Sequence, residues 1–99
     1  MLNIEKKSEG KNLVFVLSGR LDTTTAPDLE KEVKDNIEGV EKLDFDFANL
    51  AYISSAGLRV LLSAQKIMNK QGKMVVKNCS DEVIGILDVT GFLDILTIE

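Results

Sequence analysis

Residues 43–62 read LDFDFANLAYISSAGLRVLL, and two periodicities meet inside them. Over Leu43, Phe45 and Phe47, apolar side chains alternate with Asp44 and Asp46, the period of a strand with one buried face. From Leu58 onward apolar residues return every three or four positions, which is the period of a helix. The change falls at Ser54-Ser55-Ala56-Gly57. A serine just ahead of an apolar helical run reads as an N-cap, its hydroxyl accepting a backbone N–H of the first turn. The stretch therefore predicts a hydroxyl at the positive end of a helix, set at the exposed edge of a sheet.

Upstream of this stretch, Leu2 and Ile4 mix with charges, Ser8-Glu9-Gly10-Lys11-Asn12 supplies turn chemistry, and Leu13 to Leu17 is apolar on both faces. That is a hairpin, with the charged strand at an edge and the apolar one inside. Thr25-Ala26-Pro27-Asp28 resembles a capping box, with proline tolerated in a first helical turn. Ala26, Leu29, Val33, Ile37 and Val40 then share one helix face, and Gly39 ends it.

Downstream, Leu58, Leu61, Leu62, Ala64 and Met68 point to the core, with Val60 and Ile67 at the flanks. Arg59, Ser63, Lys66 and Lys70 form the opposite stripe. Lys73 to Lys77 reads as a short strand, Ser80 as the cap of a third helix through Val83, Ile84 and Leu87, and Gly91 as its stop. Asp94 to Ile98 reads as a closing strand. Strands alternating with helices imply parallel crossovers, so the expected architecture is α/β: a mixed four- to five-stranded sheet in the order β-β-α-β-α-β-α-β. Helices pack mainly on one face, and the alternation in LDFDF leaves the other partly wet.

The chain has 99 residues, 44% of them apolar and 28% charged, which suits one soluble domain over residues 1–99. Sixteen acidic and twelve basic residues give a net charge of −4. The cations are scattered, so no direct nucleic-acid partner is expected. The single cysteine, Cys79, cannot form an internal disulfide and reads as a small buried or half-buried residue without chemistry. The N-terminus lacks the pattern of a secretion signal, and no apolar run reaches the roughly 20 residues of a membrane helix. A cytoplasmic address without membrane insertion is the expectation.

Catalytic constellations are scarce. The chain has no histidine, so a Ser-His-Asp triad cannot form, and one cysteine cannot build the usual zinc sites. No G-x-G-x-x-G or Walker loop is present. A serine–lysine pair is opposed by distance: Lys66 and Lys70 lie roughly 16 to 22 Å down a helix from Ser55 at about 1.5 Å per residue. Asp44 and Asp46 read as solvated carboxylates. Neither an enzyme nor a cofactor is expected.

The segment Asp46-Phe47-Ala48-Asn49-Leu50-Ala51-Tyr52-Ile53-Ser54-Ser55-Ala56-Gly57-Leu58 resembles the signature of STAS domains, in particular the bacterial anti-sigma factor antagonists. Gly19-Arg20-Leu21-Asp22 with Thr25-Ala26 resembles the family's second segment, and Thr90-Gly91-Phe92 its third. The resemblance implies a switch protein that binds an anti-sigma factor, a serine kinase of the GHKL type, and so releases a sigma factor. It also implies that phosphorylation at the start of the second helix turns the protein off and that a metal-dependent serine phosphatase restores it.

The resemblance places the acceptor at Ser55. This sequence departs from the common pattern at Ser54, where many members carry an aspartate, and at Ala56, where many carry a second serine. Asp22 matches an acidic position beside the acceptor. The expected partner surface comprises Asp22, Thr24, Ser54, Ser55, Gly57 and Arg59. On the residues alone, Ser55 reads as a helix cap, Asp22 as a turn residue and Arg59 as part of a solvated stripe. An alternative role, which other free-standing STAS domains resemble, is a regulatory subunit of a membrane lipid-transport ATPase.

Overall fold

A computed structural model describes residues 2–99. Strand β1 (Leu2–Glu9) turns back through Gly10 and Lys11 into β2 (Asn12–Leu21). Gly10 adopts a φ of 59°, a conformation open to glycine, so this two-residue turn can be tight. Helix α1 (Ala26–Asn36) follows, then β3 (Lys42–Ile53), α2 (Ser55–Met68), β4 (Lys73–Lys77) and α3 (Asp81–Val89), with a 3₁₀ turn at Phe92–Asp94. The sheet order is β1-β2-β3-β4; the first pair is antiparallel and the other two are parallel. The apolar β2 is interior and the charged β1 lies at an edge, as its composition predicts.

One face of the sheet makes the core. Phe15, Leu17, Leu43, Phe45, Phe47 and Val76 are completely buried on it, and Phe15 and Phe45 stack with ring centroids 5.7 Å apart. All three helices contribute to the same cluster: Leu29 and Val33 from α1, Leu58, Leu61 and Met68 from α2, Val83 and Leu87 from α3. The predicted α1 face is buried in full, with Ile37 and Val40 just past the helix end. At about 25 cal/mol per Å² of apolar area, such burial is the main force holding each helix to the sheet.

The far ends of the first two helices are tied together. The Gln71 amide donates to the carbonyls of Ile37 (2.8 Å) and Val40 (2.7 Å). Lys73 N–H donates to the Glu41 carbonyl at 2.9 Å, and Gly72 has no room for a side chain beside that same carbonyl. Among the described residues, no helix is long and apolar enough to cross a membrane.

Three expectations need correction. The closing strand at Asp94 to Ile98 is reduced to a bridge between Ile98 and Val76, because the 3₁₀ turn consumes Phe92 to Asp94 and leaves too little chain to lie along β4. Leu62 is half-buried, whereas Gln65 is buried and donates from its amide to Asn69 at 2.8 Å. Asp44, read as solvated, is 9% exposed on the helix-free face, where the ammonium groups of Lys77 and Lys42 stand 3.7 and 4.0 Å from it. Its neighbours in the sheet, Val14 and Val75, leave it in a partly covered trough.

Candidate functional site

The site is assembled where β2 and β3 end side by side. Arg20 pairs with Tyr52 and Leu21 with Ile53, and the Ser54 N–H donates to the Leu21 carbonyl at 2.8 Å. The residues that leave these strands, Asp22 on one and Ser54-Ser55 on the other, are therefore neighbours despite thirty-odd positions of separation. The register shifts twice along this pair, each time placing an extra residue on β3. At the first shift the Asp46 carboxylate accepts from the Ala48 N–H (3.0 Å) and from the Asn78 amide (3.1 Å). Asp46 thus satisfies a donor that the bulge takes out of the ladder. These bonds, the Asn78 amide first, hold its carboxyl below the usual range.

The loop after β2 is organised by Asp22. Its carboxylate accepts from the Thr24 hydroxyl (2.7 Å), the Thr24 N–H (3.0 Å) and the Thr25 N–H (3.2 Å). Those bonds, the Thr24 hydroxyl foremost, lower its pKa below the ordinary 3.8. The buried Thr25 hydroxyl donates to the Arg20 carbonyl and accepts from the Asp22 N–H, both at 2.9 Å. No side-chain cap bond is made by Thr25 to α1, so the capping box predicted at Thr25 to Asp28 does not form. The reason is competition: the Thr25 hydroxyl is already engaged with the strand end.

Across from this loop, Ser54 is the N-cap of α2. It has an extended backbone (φ −97°, ψ 174°), and its hydroxyl accepts from the Gly57 N–H at 3.4 Å. Ser55 is the first helical residue and is exposed; among the described residues its hydroxyl makes no hydrogen bond. The cap reading of Ser55 is thereby corrected, because the cap belongs to the preceding serine. The first turn of α2 carries no acidic side chain, so its N–H groups and dipole are uncompensated by charge.

Gly57 explains the close seating of α2. A Cβ there would lie 2.6 Å from Leu21 Cγ and 3.0 Å from Ile53 Cγ1. The residue is buried, which gives it a packing role beneath the surface on which it was expected to make contact. Arg59 is exposed one turn beyond Ser55. A hollow of about 200 Å³ separates Thr23, Pro27 and Glu30 from Ala56, Arg59 and Val60, so the two halves of the site share one surface.

Asp22, Thr24, Ser54, Ser55 and Arg59 are thus brought to one end of the molecule, with Gly57 under them. Arg20 and Tyr52 are additions that motif reading passed over. The Arg20 guanidinium stacks on the Tyr52 ring, 4.4 Å from its centroid, with its Nε 3.9 Å from Asp22. The signal was available: Arg20 and Asp22 are two apart on an extended segment and so lie on the same side.

Residues 3–99 match the family description "STAS domain". The chain belongs to the STAS domain family. The anti-sigma-B factor antagonist of Bacillus subtilis is 28% identical over 99 residues, covering 99% of this chain and 91% of that protein. Among solved structures, an anti-sigma factor antagonist from Mycobacterium paratuberculosis superposes with a TM-score of 0.89 at 19% identity, over 99% of this chain and 85% of that one. SpoIIAA in its unphosphorylated form gives a TM-score of 0.85 at 17% identity, over 98% and 88%. The Bacillus protein in its phosphorylated form gives 0.76 at 16% identity, over 98% and 91%. The STAS domain described here shares their fold over nearly its whole length.

Proposed function

We propose that this STAS domain is an anti-sigma factor antagonist whose binding surface is the Asp22 loop and the start of α2, switched off by phosphorylation of Ser55. The observation that carries this reading is the free, exposed Ser55 hydroxyl, left without a structural duty because Ser54 caps the helix. The names of the relatives supply the class of partner, and the paired solved forms of SpoIIAA make a phosphorylated state of this fold concrete. The partner is an anti-sigma factor that is itself the serine kinase, of the GHKL type, and a metal-dependent serine phosphatase reverses the modification.

Electrostatics lets the fold accept the charge while the interface rejects it. A phosphate adds about −1.5 to −2 charges, and at a helix N-terminus the dipole favours an anion by roughly 0.3 to 1 kcal/mol. Arg59, four residues on along α2, lies on the same helical face and can pair with it. A partner carboxylate about 4 Å from the phosphate is repelled by roughly 4 kcal/mol per unit charge at an effective dielectric near 20. Half of that is already more than tenfold in affinity, at about 1.4 kcal/mol per decade.

The test is mass spectrometry after incubation with a candidate anti-sigma kinase and ATP, with Ser54→Ala and Ser55→Ala alongside, followed by titration calorimetry of both forms. One phosphate that disappears only in Ser55→Ala, and at least tenfold weaker binding once it is present, is the expected result. Modification that persists in Ser55→Ala, or a phosphorylated form that binds as tightly as the free one, would sink the proposal.

A further inference from the structure

Helix α3 leaves an apolar patch at the surface besides the stripe that the core uses. Val83 and Leu87, one turn apart, are fully buried in the core. Away from the core Val89 is 88% exposed near Gly85, while Ile86 at the flank is half-buried and packs partly against the core. A helix on the surface of a globular protein ordinarily turns polar residues outward. Here the outward residues border a shallow groove of about 510 Å³, with Glu82 at its head.

Two independent observations indicate what fills it. The first is Gly85, in the middle of the helix, where an added Cβ would meet nothing within 4 Å. Glycine weakens a helix interior relative to alanine, and no packing within the described residues requires it here, in contrast to Gly57 and Gly72. Its effect is a notch in the apolar patch beside Val89.

The second is charge. All twelve lysines and arginines lie before residue 78, together with eleven of the sixteen acidic residues. Residues 78–99 hold the other five, Asp81, Glu82, Asp88, Asp94 and Glu99, and no cation. The apolar patch thus lies in the segment that carries all of the chain's net negative charge, with Glu82 on its border. A second copy would set two such acidic rims against each other, and an anionic bilayer would be repelled in the same way.

We propose that the outer face of α3 is a docking surface for a basic amphipathic helix of a partner protein. One apolar side chain of that helix seats over Gly85 between Ile86 and Val89, and flanking lysines or arginines pair with Glu82 and Asp88. The surface shares no residue with the Ser55 site and stands independently of the function proposed for it.

The probe is a synthetic peptide of about four helical turns with leucine at helix-face spacing and lysine on the flanks, titrated into the ¹⁵N-labelled protein. Saturable shifts centred on Glu82, Gly85, Ile86 and Val89 are expected, with no binding by the same peptide carrying glutamate for lysine. Gly85→Ala should raise the protein's own Tm yet weaken the peptide at least tenfold, and Val89→Glu should abolish binding. Unchanged affinity in Gly85→Ala, or shifts spread evenly over acidic positions elsewhere such as Glu30 and Asp35, overturns the proposal. So does a concentration-dependent dimer in sedimentation that Val89→Glu dissolves, since the occupant is then a second copy of this chain.

Discussion

Replacing Gly57 and Gly85 by alanine, one at a time, adds the same methyl group to two helices and should move stability in opposite directions. At Gly85 the methyl enters open space, so only backbone entropy changes, and the gain is about 0.5–1 kcal/mol. At Gly57 it would stand 2.6 and 2.9 Å from Leu21 Cγ and Cδ2 and 3.0 Å from Ile53 Cγ1. Comfortable carbon contacts begin near 3.5 Å, so roughly 1 Å of displacement is needed. Leu21 is 0% and Ile53 1% exposed, which leaves neither side chain an empty place to move into. Overpacking of this kind costs about 1–3 kcal/mol.

Gly57 lies in the first turn of α2, where the propensity gain is no larger than at Gly85, so the two variants should differ by at least that 1–3 kcal/mol. For a domain of this size each kcal/mol is roughly 4–8 °C in Tm. Urea denaturation with a common m-value would measure the gap directly. If Gly57→Ala proves as stable as Gly85→Ala, the seating of α2 on Leu21 is not as tight as argued.

Three further outcomes follow from the same geometry. Ser54→Ala should lose about 0.5–1 kcal/mol, the low end of the N-cap range because its bond is long, whereas Ser55→Ala should be silent in thermal denaturation. Gly72→Ala should be among the most damaging single changes, by more than about 2 kcal/mol, because the clash is with the Glu41 backbone carbonyl, and a urea titration would show it. The lowered pKa values of Asp22 and Asp46 mean that their stabilisation is fully present above the ordinary 3.8 and is lost as pH falls through the lowered values. The urea midpoints of wild type and Asp22→Asn should therefore differ at pH 7 and converge as pH falls through the lowered Asp22 pKa.

Most of the fold was legible because its elements are strongly periodic. The alternation of Leu43, Phe45 and Phe47 and the spacing of Ala26, Leu29, Val33 and Ile37 each admit one reading, and the buried residues follow it. Competition between neighbours was not legible. Ser54 and Ser55 are equally good caps in isolation; the fold gives the cap to Ser54, whose N–H is held by the Leu21 carbonyl at the end of β2. Thr25 is a good cap by type but is drawn to the Arg20 carbonyl by a strand end that local sequence does not reveal. Asp44 alternates as a solvent-facing residue should, yet it is covered by lysines from its own strand and the next. Of the site, the resemblance located the Ser55 and Asp22 segments, while the stack of Arg20 on Tyr52 required the register of β2 against β3.

The assignment of the cap to Ser54 has a consequence for the life of the protein in a cell. On the function proposed above, a phosphate on Ser55 would withdraw no hydrogen bond from the helix and would gain roughly 0.3 to 1 kcal/mol from its place at the N-terminus, so the marked chain would open to the unfolded state no more readily than the unmarked one. Proteases and chaperones sample proteins through that opening and would have no preference for the marked form. Under the proposed switch, copies could be written and erased many times without the mark itself exposing them to destruction. On that proposal, the share of active protein would answer to the opposing enzymes, and turnover would not selectively erase the marked copies.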